Sequence, residues 1–170
     1  MTTEMEWWQR GPVEGYLPIF QPAVHAILQA RDELHRALQD FPDALLWQPL
    51  HGMASTGFHL QHITGVLNRL LTYANAKALT EEQLDYLRAE GKPVPGLTTR
   101  RLLENLDQEV EHTLASIRNM KEDAPLAPRA IGRKKIPTTQ FGLVFHAAEH
   151  MMRHTGQVLV TSKVLLAGNY

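Results

Sequence analysis

Apolar residues recur at intervals of three and four in four long runs of this chain, and almost nowhere do they alternate. That period belongs to the α-helix, which places every third or fourth side chain on one face. After a Gly/Pro-rich entry, "RGPVEGYLPIFQP", the run "PAVHAILQARDELHRALQDF" sets Val24, Ile27, Leu28, Leu34 and Leu38 on one stripe, and Asp40 with Pro42 stops it. The second run, "STGFHLQHITGVLNRLLTYANAKAL", follows the loop "PDALLWQPLHGMA" and takes Ser55 as its N-cap. Thr80-Glu81-Glu82-Gln83 has the form of a capping box and opens a short extra helix to about Glu90, after which Gly91, Pro93, Pro95 and Gly96 break the chain.

The third long run starts near Thr98 or Thr99, with Leu102, Leu103, Leu106, Val110, Leu114 and Ile117 as its stripe. The connection "EDAPLAPRAIGRKKIP" reads as a long loop. A last helix follows from about Thr138 to Leu166. Four amphipathic segments without strands predict an all-α fold: a four-helix bundle with one short extra helix between its second and third helices. No repeat or linker divides the sequence, so residues 1–170 are expected to form one domain.

Charge bears on partners. Seventeen basic side chains stand against 18 acidic ones, which argues against nucleic acid or an anionic membrane, since both require a concentrated basic face. The one basic cluster, Arg133-Lys134-Lys135, is short enough to be simply solvated. Absence of cysteine excludes disulfides and thiolate metal ligands, and a cytoplasmic location is expected. The start "MTTEMEWWQRGP" lacks the basic and apolar regions of a signal peptide. The uncharged stretch from Ala44 to Asn68 holds Gln48, Pro49, His51, Gly52, His59, Gln61 and His62, so no membrane span is expected.

The helix that carries "LVFHAAEHMMRHTGQ" places His146, His150 and His154 on successive turns of one face. Imidazole is costly to bury without partners, and a metal ion would supply one. Side chains four apart can close on a single ion at about 2.0–2.1 Å per Zn–N bond. With His150 and His154 as the pair, His62 of the second helix is the candidate third ligand. Gly65 and Gly156 are read as points of close helix approach that would bring the two sets together. Gln157 is a candidate for an outer hydrogen bond, while His59 and His146 either orient the ligands, line the pocket or are structural. His25, His35, His51 and His112 are read as ordinary histidines, and Met151 with Met152 as core filling.

His146-Ala-Ala-Glu149-His150 also matches the inverted zinc-peptidase pattern H-x-x-E-H. That pattern ordinarily requires a further acidic ligand downstream, and no Asp or Glu follows Glu149. Glu149 is therefore read as an ordinary helix residue, or at most as a neighbour that orients a ligand or handles a proton.

"GFHLQHITGVLNRLLTYA" followed far downstream by "GLVFHAAEHMMRHTGQV" resembles the DinB-like superfamily of metal-binding four-helix bundles, with its YfiT-like and thiol-dependent transferase members. The resemblance runs from the "GPVEGYLP" entry to the last helix. It implies a metal site on His62, His150 and His154, holding nickel, zinc or another divalent ion such as iron or manganese. It also implies a homodimer, and in several members transfer of a low-molecular-weight thiol to an electrophile.

Three neutral ligands leave coordination positions open, as catalytic zinc sites do. The expected function is activation of a thiol or water nucleophile, for transfer to or hydrolysis of a small-molecule substrate, with Arg133 as a candidate contact to an anionic part of it. The alternative is a non-catalytic bundle that binds a metal or ligand for sensing, storage or stability.

Overall fold

The computed structural model describes residues 5–121 and 124–168. Residues 1–4, on which part of the signal-peptide reading falls, lie outside the described residues, as do 122–123, which open the connection before the last helix, and 169–170. Five α-helices and one small hairpin are formed among the described residues. They are α1 (Gln21–Leu38), α2 (Thr56–Ala74), α3 (Glu81–Ala89), α4 (Thr99–Arg118) and α5 (Gln140–Leu166), with β1 (Pro128–Ile131) and β2 (Ile136–Thr139) between the last two helices.

Local chemistry sets the boundaries. Ser55 Oγ accepts from Phe58 N at 3.2 Å and caps α2. Thr80 Oγ1 accepts from Gln83 N at 3.3 Å while Gln83 Oε1 accepts from Thr80 N at 2.9 Å, completing the capping box of α3. Thr98 and Thr139 cap α4 and α5 in the same way, so α5 begins two residues later than the sequence suggests. Every stripe residue named above for the first and third long runs is buried.

The long helices pack cyclically: α5 lies on α1 and α2, and α4 lies across the other side on the same two. Phe20, Ile27, Leu34, Leu60, Leu67, Leu106, Leu143 and Met151 fill the interior. Met152 is only half-buried against it. Short α3 contributes no buried residue and rests on α2 through polar contacts. Among them, Gln83 donates to Thr72 Oγ1 at 2.7 Å and to Asn68 Oδ1.

The expectation of a strandless chain is corrected here. The connection before α5 folds into an antiparallel hairpin, with Pro128 opposite Thr139 and Ile131 opposite Ile136. Its strands have four residues each and carry two prolines between them, so no alternation announces them. The turn is made by Gly132 and Lys135, both with left-handed backbone at φ 64° and 47°. Arg129 Nε anchors the hairpin by donating to Ala74 O at 2.6 Å, at the last turn of α2. No helix among the described residues is long and apolar enough to cross a membrane.

Candidate metal centre

Packing of α5 on α2 brings His62, His150 and His154 together, and one nitrogen from each lies within 4.8 Å of the others. His62 Nε2 and His150 Nε2 face each other at 3.0 Å. Two nitrogens bound to one tetrahedral ion would be separated by about 3.3 Å, so the pair needs only a slight opening to share one. His154 turns Nδ1 toward Nδ1 of His59 at 2.9 Å, which leaves its Nε2 as the atom available to an ion. Among these rings His59 is the buried one, at 4 % exposure, while the other three are half-buried.

His62 is fixed from behind. Its Nδ1 meets Glu90 Oε2 at 2.7 Å, and Glu90 Oε1 accepts from Arg69 Nη1 at 2.6 Å. The Glu90 side chain is 5 % exposed in this pair, which stations a carboxylate at Nδ1 to accept its N–H. The Nε2 lone pair then points at His150. A carboxylate behind a ligating histidine is a recurrent way to orient the ring and raise its basicity. Phe58 stacks on the other side of His62, with ring centroids 5.2 Å apart and planes 12° from parallel.

Gly65 is the reason this relay fits. A Cβ there would collide with Glu90 Oε1 and Arg69 Nη1 and come within 2.8 Å of Tyr86. The close approach expected at Gly65 is therefore real, but what approaches is the buried Glu90–Arg69 pair and Tyr86 of α3, not the histidine-bearing α5. Gly91, with φ 79°, turns the chain just after Glu90, and a Cβ there would crowd Phe58 at 2.8 Å. Its N–H donates to Gln61 Oε1 at 2.8 Å, and Tyr86 Oη donates to Gln61 O at 3.2 Å, tying α3 and its exit to α2. Burial first, then the charge of Glu90, pushes the Tyr86 hydroxyl up to about 12, so it remains a donor.

Burial holds His59, His150 and His154 down at about 4, with neighbouring imidazoles adding to the effect. These rings are neutral near pH 7, the form a metal ligand requires. His150 Nδ1 is buried without a hydrogen-bond partner, and a strong bond at its Nε2 would offset that cost. Half-buried and convergent, with His62 backed by a carboxylate, these nitrogens form a donor set that fits a divalent ion.

The remaining residues fall into place around this group. His146 is exposed one turn before His150 and pairs with Glu149 at 3.2 Å, and Glu149 is itself bonded to Arg153. Gln157 lines a cavity beside His59 and makes no hydrogen bond to the histidines among the described residues. Arg133 is exposed in the hairpin turn. Its hairpin is anchored at Ala74, about 18 Å along α2 from His62 at 1.5 Å per residue, so it is not brought to the histidines. Gly156 departs from expectation: a Cβ there would meet nothing within 4 Å, so it marks no close helix approach. His25 Nε2 contacts Gly11 O at 3.0 Å and His35 Nε2 contacts Asp107 at 2.8 Å, as ordinary structural histidines do.

Glu90, Arg69 and Phe58 are absent from the sequence-derived site. Their only signal is position: Glu90 ends a capped helix at a Gly/Pro break, and Arg69 lies two turns after His62. That the break folds the carboxylate back onto His62 is a tertiary fact.

The fold and the site together define a mostly helical protein with a convergent three-histidine group between two of its long helices. The DinB superfamily matches residues 26–158, and the chain belongs to that superfamily. A crystal structure of a conserved protein from Enterococcus faecalis is similar in fold, with TM-score 0.67 and 13 % sequence identity, covering 89 % of this chain and 99 % of that one. No curated protein matches the sequence.

Proposed function

We propose that this chain is one DinB-like four-helix-bundle domain over residues 1–170 whose His62, His150 and His154 hold a divalent metal ion, with nickel or zinc foremost. The observation that carries the reading is the approach of the three ligand nitrogens to within 4.8 Å. The contact of His62 Nδ1 with Glu90 reinforces it. A bound ion of this kind would supply Lewis acidity that lowers the pKa of a coordinated thiol or water toward neutrality. The chain's own residues do the rest. Glu90 and Arg69 hold His62 in one tautomer, His59 orients His154, and the half-buried setting leaves access for a small molecule.

The reaction class this supports is transfer of a low-molecular-weight thiol to an electrophile, or hydrolysis of a small molecule. The protein is read as a cytoplasmic homodimer. The test is thiol consumption with a chromogenic aryl halide, comparing zinc-loaded, nickel-loaded and metal-free protein. Turnover that needs the metal and disappears in His150→Ala supports catalysis. Full metal occupancy with no acceleration for either nucleophile would point instead to a binding or storage role.

A further inference from the structure

Gly156 lies in the middle of α5, a helix of 27 residues, where glycine costs about 0.5–1 kcal/mol relative to alanine. Close packing does not account for it, since the space over its Cα is open. That space belongs to a cavity of about 510 Å³, within the range of small-molecule sites. Met53 and Ala54 form one wall, Val160 stands one turn beyond Gly156, and His59 and Arg153 supply polar groups. Met53 and Val160 are large apolar side chains left 54 % and 61 % exposed.

The wall is built by a strained turn. His51 and Gly52 are consecutive residues with left-handed backbone, at φ 47° and 80°, and Met53 N donates to Leu50 O at 2.8 Å. A non-glycine residue in that region is uncommon, and the strain is kept where the surrounding structure holds it. The result is Met53 and Ala54 turned onto the cavity beside α5.

Two polar residues connect the cavity to the histidines. His59 lines it and contacts His154. Arg153 lines it too, and its positive charge is felt by both His150 and His154. Glu149 engages one end of the Arg153 guanidinium, which has five donors and so can still meet a second acceptor.

We propose that this cavity binds a small organic monoanion with a hydrocarbon body, its carboxylate at Arg153 and its chain between Met53, Val160 and the gap over Gly156. As the substrate class of the neighbouring centre, the assignment rests on the metal-site reading; as a binding site, it stands without it. Straight-chain carboxylates from acetate through butyrate and hexanoate to octanoate, titrated into metal-free full-length protein and followed by proton–nitrogen correlation spectra, test it. Affinity should climb by up to about four-fold for each added methylene, the equivalent of about 0.8 kcal/mol. Gly156→Leu should flatten that climb while zinc binding is retained, and Gly156→Ala, which favours the helix, should flatten it in part. Arg153→Gln should weaken every acid by a similar factor and keep the slope. A flat series in the unmodified protein, or a slope that survives Gly156→Leu, overturns the site. Hexanol binding as tightly as hexanoate overturns its anionic class. Because zinc occupancy is read separately, loss of metal binding in the unmodified protein would sink the centre and leave this result standing.

Discussion

At the scale of single residues, the least expected participant is Glu90. The histidines were legible in the sequence because helical spacing alone brings His150 and His154 to one face, but nothing local ties Glu90 to His62. If Glu90 holds the His62 tautomer, Glu90→Gln weakens zinc affinity by about 10–100-fold, measured by competition with a chromogenic chelator. The nitrogen spectrum of His62 in metal-free protein then shows a mixture of tautomers where the unmodified protein shows one. An unchanged affinity and tautomer would remove Glu90 from the site. The two glycines read alike in the sequence and behave oppositely in the structure. Gly65→Ala forces a methyl group onto the Glu90–Arg69 pair and destabilises the fold by roughly 1–3 kcal/mol, whereas Gly156→Ala stabilises it by about 0.4–1 kcal/mol. Urea titrations of the two variants check both signs.

Among the elements, α3 exists for what it delivers. It buries no residue of its own, yet its exit carries Glu90, and its capping box fixes where that exit falls. Caps, breaks and stripes are local chemistry, and for that reason the helix starts could be placed from sequence to within a residue or two, whereas α2 ends at Ala74, five residues before the end of the apolar run that suggested it. The hairpin could not, because two four-residue strands are specified by a turn and by anchoring at Ala74 rather than by periodicity. Thr139 stands at the junction, pairing with Pro128 and capping α5 through Gly142 N at 3.0 Å. Thr139→Ala is expected to cost about 1 kcal/mol, read by thermal unfolding. Metal affinity should stay within about two-fold, since the histidines lie two turns and more into the helix.

On the scale of the whole molecule, the pattern of burial has a consequence for pH. Glu109 sits between α4 and α2, where burial pushes its carboxyl up, and its hydrogen bond from Asn68 only partly compensates. A raised native pKa means that the folded state favours the proton. Stability from this group is complete below the unfolded-state carboxyl range and declines as pH rises through the native value. Glu109→Gln keeps an acceptor for Asn68 and carries no charge. The variant should therefore unfold at a higher temperature than the original at pH 7, with the difference shrinking toward pH 4. A difference that grows on acidification would contradict the assignment. The central claim, that α2 and α5 meet in order to hold a metal ion, is tested most directly by elemental analysis of the protein without a histidine tag, beside His62→Ala, His150→Ala and His154→Ala. The account predicts about one divalent ion per chain, lost in each variant while the helical circular-dichroism signal persists. Protein that stays metal-free after incubation with nickel and zinc, or variants that keep their ion, would contradict it.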